Sequence, residues 1–198
     1  MHGVDIIIAQ GYEAGGHRGT FLTQTSTSVS SSEPGTLALV PQVVDAVKVP
    51  VVAAGGIADG RGIAAAFALG AAGTQLGTAY LLCPEAATSE PHRKALRDAD
   101  SDATFVTNVF TGRPARALSN RLALEMGPIA NGLPDFPLPM GALAPLRAKA
   151  ETQGSSDFTP FWSGQASPLG REMPAGELTH KLVQEAIDRL KQLSTPRP

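Results

Sequence analysis

Residues 4–19 read VDIIIAQGYEAGGHRG and join an apolar run to a loop rich in glycine. The run at 4–9 is nearly continuous in apolar side chains, which is typical of a parallel strand covered on both faces. Four glycines follow between positions 11 and 19, and a backbone without side chains can approach a ligand closely. The loop carries one imidazole, that of His17. This stretch predicts an active site at the end of a buried strand, with a tight turn and a solvated histidine as the alternative.

The first half of the chain alternates strand and helix patterns with short connections. The sequence predicts strands at 4–9, 50–54 and 73–76 and helices at 37–47 and 61–69. This alternation is the signature of a parallel sheet in an α/β fold. Asp59 stands shortly before the second helix and is a candidate N-cap.

The alternation fades beyond residue 82. The sequence there predicts helices at 90–98, 117–126 and 178–193 and an extended segment at 104–110. Residues 127–174 are dense in proline and glycine, which predicts an irregular wrap rather than a linker between domains. Residues 20–32 are rich in serine and threonine, which predicts a surface connection or an active-site flap.

The composition is that of one folded domain. Of 198 residues, 42% are hydrophobic and 17% are charged, so residues 1–198 can bury one sizeable core. The formal net charge is -2 and the 16 lysines and arginines are scattered, so we expect neither nucleic acid nor an anionic membrane as a partner. The single cysteine, Cys83, is predicted to pack in the core. Without a signal-peptide pattern or an apolar run of about 18 residues, the chain is expected to be cytoplasmic.

Two of the predicted strands end in turns of small residues that lead into helices. Gly55 and Gly56 follow the second strand, and Gly77 and Thr78 follow the third. Backbone N–H groups at such turns, together with a helix N-terminus, form an anion site. In (β/α)8 barrels a phosphate commonly lies between the loops after strands seven and eight. If the second and third predicted strands are strands seven and eight of a barrel, the turns that follow them would hold a cofactor phosphate. The strand that ends near Gln10 would then be strand six. Tight packing is the alternative role of the glycines.

Three segments, in this order along the chain, resemble the nitronate monooxygenase family, formerly called 2-nitropropane dioxygenases. They are IAQGYEAGGHRG at 8–19, PVVAAGGIADG at 50–60 and QLGTAYL at 75–81. TGRPAR at 111–116 and WSGQ at 162–165 resemble the family's C-terminal segments. The family's members are FMN-dependent enzymes with a TIM-barrel fold. The resemblance therefore implies a partial TIM barrel, with strands six to eight in residues 1–82 and a helical and irregular extension in residues 83–198.

The resemblance also implies a reaction and roles for individual residues. It implies FMN-dependent oxidation of nitroalkanes or nitronates by oxygen to a carbonyl compound and nitrite. The expected cofactor-binding residues are Gln10, Gly15, Gly16, Gly55, Gly56, Gln75, Leu76, Gly77 and Thr78. His17 would lie over the substrate and remove the acidic C–H proton of a nitroalkane, because an imidazole is a general base with a pKa near the operating pH. In enzymes that take a preformed nitronate, the same histidine can instead stabilise the anion.

Two other functions stay open. One is a flavin-dependent enoyl-thioester reductase, which has a similar glycine–histidine loop, and the other is a non-catalytic fragment that binds a phosphate ligand or a partner. Only three of the eight strands of a complete barrel are predicted, so we expect an unpaired edge and uncovered apolar faces. We therefore expect the chain not to catalyse turnover alone. Three alternatives stay open: the polypeptide begins upstream, it is the C-terminal part of a split or degraded enzyme, or it assembles as a homo-oligomer or with a complementing N-terminal half.

The other polar residues near these motifs are assigned structural roles. Arg18 is expected at the surface, Glu13 as a hydrogen-bond acceptor for loop N–H groups, and His92 in solvent at the start of a charged helix. No group of histidine, cysteine and carboxylate residues has the spacing of metal ligands, so we expect no metal.

Overall fold

The computed structural model describes residues 3–19, 33–100 and 102–195. The strands are β1 (Ile7–Gln10), β2 (Gly16–His17), β3 (Val51–Ala54), β4 (Gly73–Gln75), β5 (Thr104–Thr107) and β6 (Ala115–Leu118). The α-helices are α1 (Thr36–Ala46), α2 (Gly60–Ala68), α3 (Glu90–Arg97), α4 (Arg121–Met126), α5 (Leu138–Thr152) and α6 (Ala175–Ser194). The surface connection or flap predicted at 20–32 lies outside the described residues.

The first half of the chain contains a parallel sheet with the strand order β1-β3-β4. Helix α1 connects β1 to β3, and α2 connects β3 to β4, so the predicted α/β alternation is confirmed. Gln10 pairs with Ala54 and Ala54 pairs with Gln75, so the last residues of the three strands lie side by side. The loops that follow these residues therefore begin at one edge of the sheet.

The core lies on one face of this sheet. Val40 of α1 and Ala53 of β3 are fully buried there, and Leu178 of α6 is 1% exposed. Asp59 caps α2, as predicted, by accepting hydrogen bonds from the backbone N–H groups of Arg61 and Gly62. Cys83 is also buried in this cluster, as predicted. Helix α6, which is the last helix in the chain, therefore contributes side chains to the same core as β1 and β3.

The other face of the sheet is apolar and open. Val4, Ile6 and Ile8 are 59%, 55% and 53% exposed. The expectation of a strand covered on both faces is therefore wrong for the described residues, because helices pack only on the face that carries Ala9. The expectation of an uncovered apolar face, which came from the number of strands, is confirmed.

A second sheet of antiparallel strands has the order β2-β6-β5. Gly16 pairs with Arg116 and His17 pairs with Ala115. Ala117 of β6 also forms an isolated bridge with Trp162. This sheet holds the loop after β1 against the C-terminal half of the chain.

The structure corrects two predictions in the C-terminal half. The helix predicted at 117–126 begins only at Arg121, because β6 occupies the preceding residues and the Asn120 side chain caps the backbone N–H of Ala123. The segment 127–174 is not irregular throughout, since it contains the fifteen-residue helix α5. The high proline content was the reason to predict irregular structure here. Pro139, however, lies in the first turn of α5, where the backbone N–H that proline lacks would have no partner within the helix. The extended segment is confirmed in part by β5, and the helices at 90–98 and 178–193 are confirmed by α3 and α6.

No helix among the described residues is long and apolar enough to cross a membrane.

The contact between α2 and α6 depends on the absence of a side chain at Gly60. A Cβ there would lie 2.3 Å from Cβ of Glu185 and 2.5 Å from the backbone N of Ala186. We expect Gly60→Ala to lower the free energy of unfolding by about 1–3 kcal/mol, because the helix backbone must move. Urea denaturation measures the free energy of unfolding of the variant. Gly176→Ala is the control, because a Cβ added at Gly176 would meet no atom within 4 Å. Equal stability of the two variants would contradict this packing.

Candidate active site

A cavity of about 310 Å³ lies at the carboxyl ends of β1, β3 and β4. All of the predicted cofactor residues except Leu76 line it, namely Gln10, Gly15, Gly16, Gly55, Gly56, Gln75, Gly77 and Thr78. Leu76 instead lines a separate groove on the open face of the sheet, with Ile6 and Ile8. The structure thus brings residues from three separate strand ends to one cavity.

The glycines of the cavity leave room for a ligand. Gly55 and Gly56 follow β3 with φ angles of +110° and +69°, a left-handed conformation that side chains disfavour. A Cβ at Gly16 or Gly77 would meet no atom within 4 Å, so the described protein does not fill the space beside them. Small residues, open space and turn amides at adjacent strand ends fit the phosphate and chain of a mononucleotide.

Gly15 has a different reason to be glycine. Its Cβ would lie 2.6 Å from the backbone N of Gly164 and from the carbonyl carbon of Ser163. Gly164 in turn donates a hydrogen bond to Oγ1 of Thr78 at 2.9 Å, and Gln165 donates one to the backbone oxygen of Glu13 at 3.0 Å. The segment 163–165 therefore packs directly on the cavity loops, and this packing alone requires a glycine at position 15.

Glu13 attaches the cavity loop to the start of α1. Its carboxylate accepts hydrogen bonds from the backbone N–H and from the hydroxyl of Thr36, at 2.8 and 3.0 Å. A carboxylate at a helix N-terminus is favoured by the helix dipole. Glu13 is a structural acceptor, as predicted, but the donors to its carboxylate belong to Thr36 at the start of α1 and not to the glycine-rich loop.

Arg18 is buried rather than at the surface, so that prediction is wrong. The residue is 5% exposed, pairs with Glu33 at 2.8 Å, and donates to the backbone oxygens of Ala14 and Gly11 at 3.0 and 2.8 Å. A buried charge is stable when it is paired and its donors are used. Arg18 therefore holds the turn 11–14 at the start of the glycine-rich loop, because it binds the carbonyl groups at both ends of that turn.

Arg116 supports the same loop from the second sheet. Its Nε donates to the backbone oxygen of Tyr12 at 3.1 Å, and its guanidinium lies 4.6 Å from the centre of the Tyr12 ring. Arg116 has no predicted role, although it lies in the segment 111–116 that carries part of the family resemblance.

His17 lies next to the cavity but is not among the residues that line it. Its Nε2 is 2.9 Å from Oγ1 of Thr111, and its ring centre is 5.4 Å from that of Trp162 and 5.6 Å from that of Phe136. Trp162 also lines the cavity, so this residue contacts both the cavity and the His17 ring. Gln10 holds the loop around His17, because its amide donates to the backbone oxygen of His17 and accepts from the N–H of Gly19.

The pKa of His17 lies below its usual value. Burial of the ring is the larger cause, and the positive charge of Arg113 is the second. The imidazole is therefore neutral near pH 7 and can accept a proton. Thr111 fixes the ring on one side, since its hydroxyl is also hydrogen-bonded to the backbone of Arg113.

His92 is not solvated, which corrects its expected position. Its ring is half-buried, lines the cavity, and stacks on the Phe161 ring at 4.7 Å between centres with an angle of 8° between the planes. Burial lowers its pKa. No sequence signal pointed to it, because the contact with Phe161 joins residues far apart in the chain.

Within the described part of the chain, no group of three or more histidine, cysteine or carboxylate residues could hold a metal ion.

A family model and curated relatives agree on one family. A family model described as nitronate monooxygenase matches residues 1–185. A probable nitronate monooxygenase of Staphylococcus saprophyticus is 43% identical over 186 residues, which are 93% of this chain and 51% of that protein. The nitronate monooxygenase of Pseudomonas aeruginosa is 44% identical over 184 residues, which are 92% of this chain and 51% of that protein. The chain spans about half the length of the curated relatives it matches.

A solved structure shares the same architecture. The nitroalkane oxidase of Streptomyces ansochromogenes superposes with a TM-score of 0.86 at 42% sequence identity. The match covers 97% of this chain and 54% of the other.

Proposed function

This chain belongs to the nitronate monooxygenase family, and we propose that its cavity binds FMN and that His17 is the base in the oxidation of nitroalkanes by oxygen. The observation that carries the proposal is the single cavity at the ends of β1, β3 and β4. It collects nearly all of the expected cofactor residues, and a neutral histidine lies beside it. The products would be a carbonyl compound and nitrite.

The phosphate of FMN would lie between the turns after β3 and β4. Gly55, Gly56 and Gly77 can offer backbone N–H groups there without side chains in the way. Thr78 accepts a hydrogen bond from Gly164, which leaves its hydroxyl proton available for a phosphate oxygen. Bound in this cavity, FMN would supply the redox chemistry that connects the nitronate to oxygen.

His17 would perform the proton transfer. A nitroalkane has a weakly acidic C–H beside the nitro group, and the neutral imidazole can take that proton. The nitronate that forms is an anion, and the nearby positive charge of Arg113 favours it. The rings of Trp162 and Phe136 pack against His17 and limit the access of water to it.

The open apolar face supports a second part of the proposal. We infer that further strands cover Val4, Ile6 and Ile8 in the active enzyme and complete a TIM barrel, from the same or from another polypeptide. Exposed apolar surface of this kind is typical of an interface rather than of a solvated sheet.

The first test compares this chain with a longer relative. After loading with FMN, the chain should bind the flavin but show less nitronate-dependent oxygen uptake than the full-length Pseudomonas aeruginosa enzyme, because one face of its sheet is open. Flavin absorbance of the desalted protein and an oxygen electrode measure the two quantities. Stoichiometric FMN with the same turnover would contradict the need for further strands, and rapid anaerobic bleaching by NADH would favour a reductase.

The second test concerns His17. We expect His17→Gln to slow the exchange of the acidic hydrogens of nitroethane for deuterium by about 100-fold or more, because the base is gone. Proton NMR follows this exchange without requiring complete turnover, and His180→Gln on α6 is the matched control. Unchanged exchange together with weaker binding of preformed ethylnitronate would instead assign His17 to stabilisation of the anion.

The third test concerns the charge of Arg113. Arg113→Gln should raise the pKa of His17 towards, but not above, its usual value of 6.5, because burial still favours the neutral ring. More of the imidazole is then protonated at pH 6, so the acid side of the exchange profile moves to higher pH. An NMR titration of the His17 ring measures this, with Lys191→Gln removing an equal charge elsewhere. A fall in the pKa of His17 would contradict the assignment.

A further inference from the structure

The turn that joins β5 to β6 presents a buried hydroxyl to the ring of His17. Thr111 in this turn is 2% exposed, and its Oγ1 lies 2.9 Å from Nε2 of His17. The N–H of Gly112 donates to the backbone oxygen of Asn108 at 2.7 Å, and Gly112 has a φ angle of +82°. The turn therefore holds Thr111 in one position, and the pairing of β2 with β6 holds His17 beside it.

The hydroxyl of Thr111 lies beside three polar groups but has only one proton. The backbone oxygen of Arg113 is 3.1 Å from Oγ1 and can only accept a hydrogen bond. The backbone N–H of Arg113 donates to the same Oγ1 at 3.3 Å and uses one of its two acceptor positions. When the hydroxyl proton points to the Arg113 oxygen, the second acceptor position is left for Nε2 of His17. Nε2 must then carry the proton of the neutral imidazole.

The opposite direction of the hydroxyl proton is less favourable. A hydroxyl that donated to Nε2 would leave Oγ1 of Thr111 and the backbone oxygen of Arg113 at 3.1 Å with no proton between them. Two oxygen atoms in that position repel each other, and a buried polar group that loses its hydrogen bond is costly. Only the arrangement in which Nε2 donates gives a hydrogen bond to all three neighbours of the hydroxyl. The surroundings of the ring therefore favour the tautomer with the proton on Nε2.

The other ring nitrogen of His17 then keeps its lone pair. Nδ1 makes no hydrogen bond within the described residues, yet it is not among their buried polar atoms without a partner. The atom therefore has accessible surface, in a ring that is half-buried as a whole. A substrate beside the ring can reach Nδ1, whereas Thr111 occupies the side of Nε2.

We propose that Thr111 fixes the tautomer of His17, so that Nδ1 is the atom that takes the proton of the nitroalkane. This inference rests on the proposed role of His17 as the base. In the step, the C–H bond beside the nitro group breaks, its proton moves to Nδ1, and its electron pair stays on the nitronate. Nε2 keeps its own proton, and its hydrogen bond to Thr111 becomes stronger as the ring gains a positive charge. Thr111 is thus a positioning residue that acts through the ring.

The first experiment determines the tautomer in the unchanged chain without any substrate. In protein labelled with ¹⁵N-histidine, at a pH well above the pKa of His17, Nε2 should give the signal of a protonated nitrogen. Nδ1 should give that of an unprotonated one, which lies at much higher frequency. The resonances that are missing from His17→Gln identify His17. A neutral ring protonated on Nδ1, or an equal mixture of the two forms, would overturn the inference.

Two substitutions at Thr111 separate the effect of the hydroxyl from that of side-chain shape. Thr111→Val keeps the shape and removes the hydroxyl, whereas Thr111→Ser keeps the hydroxyl. We expect Thr111→Val to slow the hydrogen exchange of nitroethane about tenfold, and Thr111→Ser to slow it no more than about threefold. Thr107→Val is the matched control and should leave the rate unchanged. Thr107 is also buried, but its Oγ1 accepts a hydrogen bond from the backbone N–H of Val109.

The pH dependence of this exchange distinguishes positioning from a purely structural role. Without the hydroxyl, the protonated ring loses the acceptor for its Nε2 proton, so Thr111→Val should lower the pKa of His17 further. The acid side of the exchange profile then moves to lower pH, while Thr111→Ser keeps the original profile. Arg113, whose charge also acts on this pKa, is unchanged in all of these variants. A slower rate with an unmoved profile, or an equal loss in Thr107→Val, would overturn the inference.

Failure of the proposed function would give a different result. If the unchanged chain carries its proton on Nε2 but exchanges the hydrogens of nitroethane no faster than His17→Gln, His17 is not the base. The proposed function and the role of Nδ1 are then both overturned. Fast exchange by a ring that is protonated on Nδ1 would overturn the inference alone and leave the proposed function intact.

Discussion

The parallel pairing of β1, β3 and β4 is the constraint on which the site depends. The register aligns Gln10, Ala54 and Gln75, so three turns that are separated by 20 residues or more in the chain begin side by side. An antiparallel arrangement would send alternate turns to opposite edges. Parallel pairing therefore brings the glycines after β1 and β3 together with Gly77 and Thr78, and no direct contact between the turns is needed to achieve it.

The loops at this edge are held by buried polar contacts rather than by apolar packing. Glu13 binds the start of α1, Arg18 holds the turn 11–14, and Arg116 braces Tyr12 from the second sheet. Glycine-rich backbone has a high conformational entropy when unfolded, so it needs such anchors to keep one shape. The same anchors place His17 in β2, where Thr111 and Trp162 surround its ring.

Sequence alone predicted the features that depend on local pattern. The strands, the cap at Asp59 and the small residues at the strand ends follow from periodicity and turn chemistry, and the structure confirms them. It did not predict the burial of Arg18, because that depends on Glu33 and on carbonyl groups that only the folded loop presents. The same holds for His92, whose environment comes from Phe161. Helix α5 was missed because its prolines are tolerated, one of them in the first turn, in a helix that is largely exposed.

The two faces of the parallel sheet are completed in different ways. The chain's own helices cover the face of Ala9, and its own segment 163–165 closes the cavity at the strand ends. Nothing in the described residues covers Ile6 and Ile8. Ligand binding at the strand ends and completion of the sheet therefore depend on different contacts. The phosphate turns and the two histidines can be in place while the open face still lacks its cover, so loss of turnover and loss of flavin binding need not occur together.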